Sequence, residues 1–291
     1  MQIQINYLSF SYTSVPILNG ITLDLTGPKF VSIMGPNGVG KSTLIHCINK
    51  ILTPSGGTVM IDGKNVKDIT IKELAKQMGY VPYSASDTFP LSVVDTVLMG
   101  RHPHSNWGTL DSDLEKVYDV LDELGISHLA MRNFNELSAG QHQKVMLARG
   151  LVQEPAVLLL DEPTSNLDVR HQLDVTKLLK RLSVEKQILI IMISHDINIA
   201  AKYSDEVVMM HQGKIFATGT PQDVVTADNL KKVYGVEARI VDDFGVPHVI
   251  LEDSIPLDES DVDAIRSPGM AKAVKDKSSE EPKEDQKGME A

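Results

Sequence analysis

The densest chemistry in this 291-residue chain lies in Gly35-Pro36-Asn37-Gly38-Val39-Gly40-Lys41-Ser42-Thr43. Glycines at these spacings let the backbone turn tightly and aim successive amide N–H groups at one anion. A helix beginning there adds its positive end. Gly35-x-x-x-x-Gly40-Lys41-Ser42 fits the phosphate-loop pattern, in which Lys41 reaches the β and γ phosphates of a nucleotide and Ser42 a Mg²⁺ ion. Pro36, Asn37, Gly38 and Thr43 complete the expected phosphate-binding set. An apolar strand pattern before the loop and a helical one after it supply the context that the motif requires.

A second group stands at Val157-Leu158-Leu159-Leu160-Asp161-Glu162-Pro163, an apolar strand ending in two acids. Such a strand delivers Asp161 to a Mg²⁺ shell. Glu162, one residue on, points elsewhere and is placed to polarise an attacking water. Taken alone the two read equally well as an ordinary strand-to-loop acid pair, and the phosphate loop in the same chain favours catalysis. Leu137-Ser138-Ala139-Gly140-Gln141 puts a hydroxyl and accessible N–H groups at a helix start, which suits an anion or a plain cap. Asn49-Lys50-Ile51-Leu52 lacks the acid of the guanine-reading Asn-Lys-x-Asp motif, which argues against a GTPase. His102-x-His104 is too sparse, in a proline-containing loop, to read as a metal site.

These groups need elements to hold them. Residues 3–10, 17–25, 29–34 and 58–62 carry strand patterns, and 44–52 keeps helical spacing after the loop. Between about 86 and 154 strand patterns vanish. Residues 92–99, 112–124 and 138–152 read as helices, each opening on a capping serine. Strand and helix then alternate again. Residues 156–160 and 188–193 are continuous apolar runs of the buried parallel type, with a crossover helix over 169–183 between them. Residues 206–210 and 214–217 read as a hairpin around Gln212-Gly213. The expected fold is α/β: a phosphate-loop (RecA-like) parallel-sheet core with an N-terminal antiparallel β subdomain and an inserted α-helical subdomain. The core spans about 1–85 and 155–251, the helical part about 86–154.

Composition bounds the rest. The net charge is −11, and from Glu252 onward twelve acids against six bases contribute −6 of it. Residues 252–291 therefore read as an acidic tail, disordered from about Ser267. No basic block long enough for a nucleic-acid footprint exists, so no nucleic-acid partner is expected. The longest purely apolar run, 188–193, is far short of the roughly 20 residues of a membrane span. Cys47, the single cysteine, excludes an internal disulfide and reads as a small core residue.

With Leu137-Ser138-Ala139-Gly140-Gln141 standing between the phosphate loop and the acidic strand, the sequence resembles the ABC ATPase family over about residues 1–250. The family signature is Leu-Ser-Gly-Gly-Gln, and Ala139 replaces one glycine. The resemblance implies ATP as the nucleotide, Mg²⁺ as its ion, and head-to-tail pairing of two copies. Ser138, Gly140 and Gln141 of one copy would then face the nucleotide held by Lys41 of the other. Asp168, in Ser165-Asn166-Leu167-Asp168, matches the D-loop that crosses the pairing face. His195 matches the switch histidine near the γ-phosphate, and Tyr12 the aromatic that stacks on adenine. Without the family, these two read as a loop histidine and a strand-end tyrosine. One position departs: Tyr80-Val81-Pro82-Tyr83 has tyrosine where the family carries a metal-shell glutamine.

Three stretches look closest to the branch importing iron chelates, haem and cobalamin: residues 90–104, 167–172 and 195–201. That branch implies two multi-helix permease subunits, with residues 83–104 receiving the permease. It also implies an external binding protein and a peripheral place on the cytoplasmic face of the membrane. An importer of another class, such as one for oxyanions, or a non-transport assembly ATPase would share these motifs. Repair-type and translation-type relatives carry long coiled coils or two ATPase copies, and neither is present.

Overall fold

The computed structural model describes residues 1–83, 91–104 and 109–255. The expected tail disorder and residues 84–90 of the expected permease-receiving segment lie outside them. Ten residues of alternating burial form β1 (Gln2–Ser11), which pairs antiparallel with β2 (Pro16–Thr26) and with β4 (Gly56–Ile61). With β5 (Lys64–Asn65) they make a four-stranded sheet in the order β2-β1-β4-β5.

A second sheet has six strands in the order β10-β9-β3-β8-β7-β6. These are β3 (Lys29–Met34), β6 (Met78–Val81), β7 (Val157–Leu160), β8 (Leu189–Ile193), β9 (Glu206–His211) and β10 (Lys214–Gly219). All pairs are parallel except β9–β10, the expected hairpin. The apolar runs of β7 and β8 are continuous because both faces are covered. Leu159, Ile191 and Ile193 pack toward the antiparallel sheet and α1 (Lys41–Ile48). Leu158, Leu160, Ile190 and Met192 pack toward the helices on the other side. Period-two alternation thus divides one apolar strand between two cores.

After α2 (Ile71–Gln77) and β6, the described chain is helical up to β7, with α3 (Val93–Leu98), α4 (Leu110–Glu123) and α5 (Ala139–Leu151). Ser92 and Ser138 cap α3 and α5 as expected, accepting from Asp95 N and Gln141 N. Ser112 does not cap. The helix begins earlier, with Thr109 at the cap position, and Ser112 Oγ donates back to Thr109 O at 2.9 Å. Asp111 and Asp113 in the first turn favour that earlier start.

Arg101 ties this region to the strand that follows. Its Nε donates to Asp113 Oδ1 at 2.7 Å, and Nη1 to Val152 O at 2.9 Å and Glu154 Oε2 at 3.0 Å. Both Arg101 and Asp113 are buried. Burial pushes the Asp113 carboxyl up, but hydrogen bonds from Arg101 and Thr109 outweigh it and hold the group below the usual range. Removing the guanidinium leaves a buried carboxylate without its ion-pair partner. Arg101→Met is expected to destabilise the chain by about 3 kcal/mol, read as a lowered urea midpoint.

Helix α6 (Val169–Glu185) precedes β8, and α7 (Ile197–Tyr203), α8 (Pro221–Val224) and α9 (Ala227–Tyr234) follow it. The chain then makes a hairpin of β11 (Val236–Asp243) and β12 (Val246–Ser254) that the sequence reading left unassigned. The hairpin is pinned to α7 by two reciprocal bonds. Val249 N donates to Asn198 Oδ1 at 2.7 Å, and Asn198 Nδ2 donates to Val249 O at 3.2 Å.

Candidate functional site

Strands β3, β8 and β7 lie side by side, so their carboxyl ends open on one edge of the sheet, where open α/β sheets hold ligands. Register pairs Ile33 with Ile193 and Leu160 with Met192. The loops that follow carry Gly35–Gly40, Ser194-His195 and Asp161-Glu162.

The phosphate loop takes its shape from glycine. Gly40 has φ 101°, in the region that side chains avoid, and a Cβ there would stand 2.7 Å from Leu18 Cδ2. Strand β2 therefore presses directly on the loop. Helix α1 begins at Lys41 rather than farther along, so Lys41, Ser42 and Thr43 form its first turn. The buried Lys41 amine donates to Gly35 O at 2.8 Å and Pro36 O at 2.9 Å. Burial lowers its pKa, opposed by the charges of Glu162 and Asp161. An ammonium held by two loop carbonyls is ready to exchange them for phosphate oxygens.

Ser42 Oγ donates to Asp161 Oδ1 at 3.0 Å. Burial pushes the Asp161 carboxyl up; the Ser42 bond pulls it down, and neighbouring Glu162 pushes it up again. A desolvated carboxylate beside a hydroxyl is an all-oxygen pair that fits Mg²⁺, an ion that keeps waters and phosphate oxygens for the rest of its shell. Among the described residues no cluster of three or more His, Cys, Asp or Glu could hold a metal ion. His104 turns its Nε2 to Gln153 O at 3.0 Å.

Glu162 has φ 49°, a left-handed conformation costing a residue with a side chain about 1–2 kcal/mol. Its carboxylate meets His195, whose Nε2 lies 2.5 Å from Glu162 Oε1. Behind this layer, Tyr80 Oη meets His46 Nε2 at 2.9 Å. Burial and the Asp161 charge push the Tyr80 hydroxyl up to about 12, so it stays neutral. The sequence reading missed this pair. The signal was present, since His46 lies four residues after Ser42 and on the same face of α1. Tyr12 leaves its ring 60% exposed, edge-on to Phe10 with centroids 4.8 Å apart. Such a face is open to a planar base.

The signature residues form a separate unit. Ser138 and Gln141 satisfy each other: Gln141 N donates to Ser138 Oγ at 3.4 Å, and Ser138 N to Gln141 Oε1 at 3.1 Å. Asp168 caps α6. Among the described residues no hydrogen bond or ion pair joins Ser138, Gly140, Gln141 or Asp168 to Lys41, Ser42 or Asp161. A cleft of about 310 Å³ beside the signature turn is lined by Tyr83, Leu137, Ala139, Gln143, Glu162 and Asn166 among others. Among the described residues, Gln143 Nε2 is buried with no hydrogen-bond partner. Tyr83 is half-exposed and makes no hydrogen bond to Ser42 or Asp161.

A phosphate loop, an acidic strand end and a strained glutamate at one sheet edge define a nucleoside-triphosphate-hydrolysing core. The family model described as ABC transporter matches residues 18–165, and the chain belongs to that family. It is an ATP-binding subunit whose hydrolysis of ATP powers transport. It is 45% identical over 250 residues to an uncharacterized ABC transporter ATP-binding protein of Methanocaldococcus jannaschii, covering 86% of this chain and 98% of that one. It is 36% identical to the ferric enterobactin transport ATP-binding protein FepC of Escherichia coli, covering 84% and 91%. Among solved structures it resembles cbiO1 of Clostridium perfringens, part of the ABC transporter complex cbiONQ. There the TM-score is 0.70 and the identity 32%, covering 79% and 92%.

Proposed function

We propose that this chain drives an importer of a chelated metal, namely an iron chelate, haem or cobalamin. It works as a head-to-tail pair of copies on the cytoplasmic face of the membrane. Two multi-helix permease subunits, fed by an external binding protein, are its partners. No helix among the described residues is long and apolar enough to cross a membrane, so the permease supplies the span. The observation that carries the pairing is the separation of the two half-sites. Ser138 and Gly140 stand apart from the Lys41 cluster of their own chain, and a second copy would bring them to its nucleotide.

In the proposed roles, loop amides from Gly35 to Gly40 and the Lys41 amine hold the β and γ phosphates, and Thr43 extends the first helical turn beside them. Tyr12 stacks on adenine. Mg²⁺, when bound through Ser42 and Asp161, would neutralise phosphate charge. Glu162 takes the proton of the water that attacks the γ-phosphorus, and His195 keeps that carboxylate aimed. The O–P bond to the leaving ADP breaks as the water oxygen bonds to phosphorus. Reconstitution with the permease tests the reading: one of these chelates should stimulate ATP hydrolysis. If an oxyanion, or no membrane partner at all, does so instead, the substrate assignment fails.

Tyr83 bears on the same site. A phenol has one hydroxyl where the family's glutamine has a carbonyl and two N–H donors. Tyr83→Gln is expected to keep or raise the ATPase rate. A loss of about a hundredfold, on the scale of a missing catalytic group, would give this tyrosine a role of its own.

A further inference from the structure

His171 lies outside every role assigned above, yet it touches both elements that the proposed pairing turns toward the partner copy. One carboxylate oxygen, Asp168 Oδ1, accepts from His171 N at 2.9 Å and also from its ring Nδ1 at 2.9 Å. With Nδ1–H committed, the ring is held in one orientation over the start of α6. Its far edge rests on Gly140, at the second position of α5. A Cβ added to Gly140 would stand 2.6 Å from His171 Cδ2 and 3.0 Å from Nε2. Gly140 is buried, and His171 is about half exposed beside it. The bare Cα of Gly140 therefore leaves the room that the imidazole fills.

We infer that His171 is a positioning residue that latches the signature turn to the D-loop within one chain, so that both meet the partner's nucleotide as a single body. The inference rests on the head-to-tail reading for its consequence, but the latch itself belongs to the single chain. Two separately connected loops would each have to be ordered when the copies meet. A ring wedged between them removes that cost in advance. Neither the Asp168 bond nor the Gly140 contact involves Lys41, Ser42 or Asp161, so binding of ATP by one chain does not depend on it.

The test uses the full chain carrying Glu162→Gln, alone and with His171→Phe or His171→Asn added. Phenylalanine keeps a ring over Gly140 and loses the ring donor to Asp168; asparagine keeps a short amide donor and loses the ring. Hydrogen–deuterium exchange without nucleotide is expected to rise together at 139–141 and 167–170 in both variants, with 41–45 unchanged. Light scattering at saturating ATP is expected to show pairing weakened about tenfold or more, within the usual range of coupling between sites. ATP affinity of the single chain should match the parent. Exchange unchanged at either segment overturns the latch, and so does pairing at parental strength once exchange has risen. A parent that stays single under ATP and Mg²⁺ with the permease present would instead sink the head-to-tail reading, and the exchange result would then decide the latch by itself.

Discussion

Glu162→Gln is expected to lower ATP turnover by about a hundredfold or more, the scale of removing a general base, while ATP stays bound. The amide is isosteric, so the left-handed backbone at φ 49° and the contact with His195 can both be retained. What disappears is the ability to accept a proton from water. Lys41 and Asp161 are untouched, so binding continues and the cycle halts before cleavage. If binding drives pairing, the halted state accumulates as an ATP-holding dimer visible by light scattering. A variant that hydrolyses ATP at the parental rate would remove Glu162 from the chemistry. One that holds ATP, with permease present, and never pairs would remove the dimer instead.

Lys41→Ala is expected to abolish the gain in thermal stability that ATP confers, with little change in the midpoint without nucleotide. The Lys41 amine makes two hydrogen bonds, to Gly35 O and Pro36 O, and would exchange them for phosphate oxygens. Charge-assisted bonds contribute about 1.5–3 kcal/mol each. Losing two costs at least about 3 kcal/mol, more than a hundredfold in affinity. The parent, at ATP about a hundred times its Kd, gains about 2.7 kcal/mol of stability; the variant at the same concentration gains almost none. Without ATP the balance is different. Alanine strands two carbonyls but also removes a buried ammonium whose pKa burial already depresses. A full ATP-induced shift in the variant would show that the phosphates are held elsewhere.

The sequence disclosed the parts of this molecule whose spacing is itself the chemistry. Gly35 to Ser42 is legible because amide geometry demands those glycines, and β7 and β8 because only doubly covered strands are apolar throughout. The closing hairpin was not legible. Val236, Ala238 and Ile240 do alternate in burial along β11, but the run from Glu252 onward reads as a charged tail, although β12 extends to Ser254. The first turn of α4 was misplaced because Ser112 imitates a cap that Thr109 occupies. Glu162 was legible as an acid but not as a strained one, since nothing in a glutamate announces a positive φ. His171 was invisible as a participant, and His46, though on the Ser42 face of α1, had no partner that the sequence could name. Their partners, Tyr80 in one case and Gly140 in the other, are reached only through tertiary packing.

The bonds between Asn198 and Val249 bear on the order in which this molecule can be completed as it is made. The two residues are 51 positions apart. A nascent chain reaching Asn198 already holds the phosphate loop, the acidic strand end and His195. It then has to wait for those 51 residues before the helix behind His195 is pinned. Domains generally fold as units, so α7 gains this tie only once the closing hairpin has been made. Until then, Asn198 must find other partners for its side-chain amide.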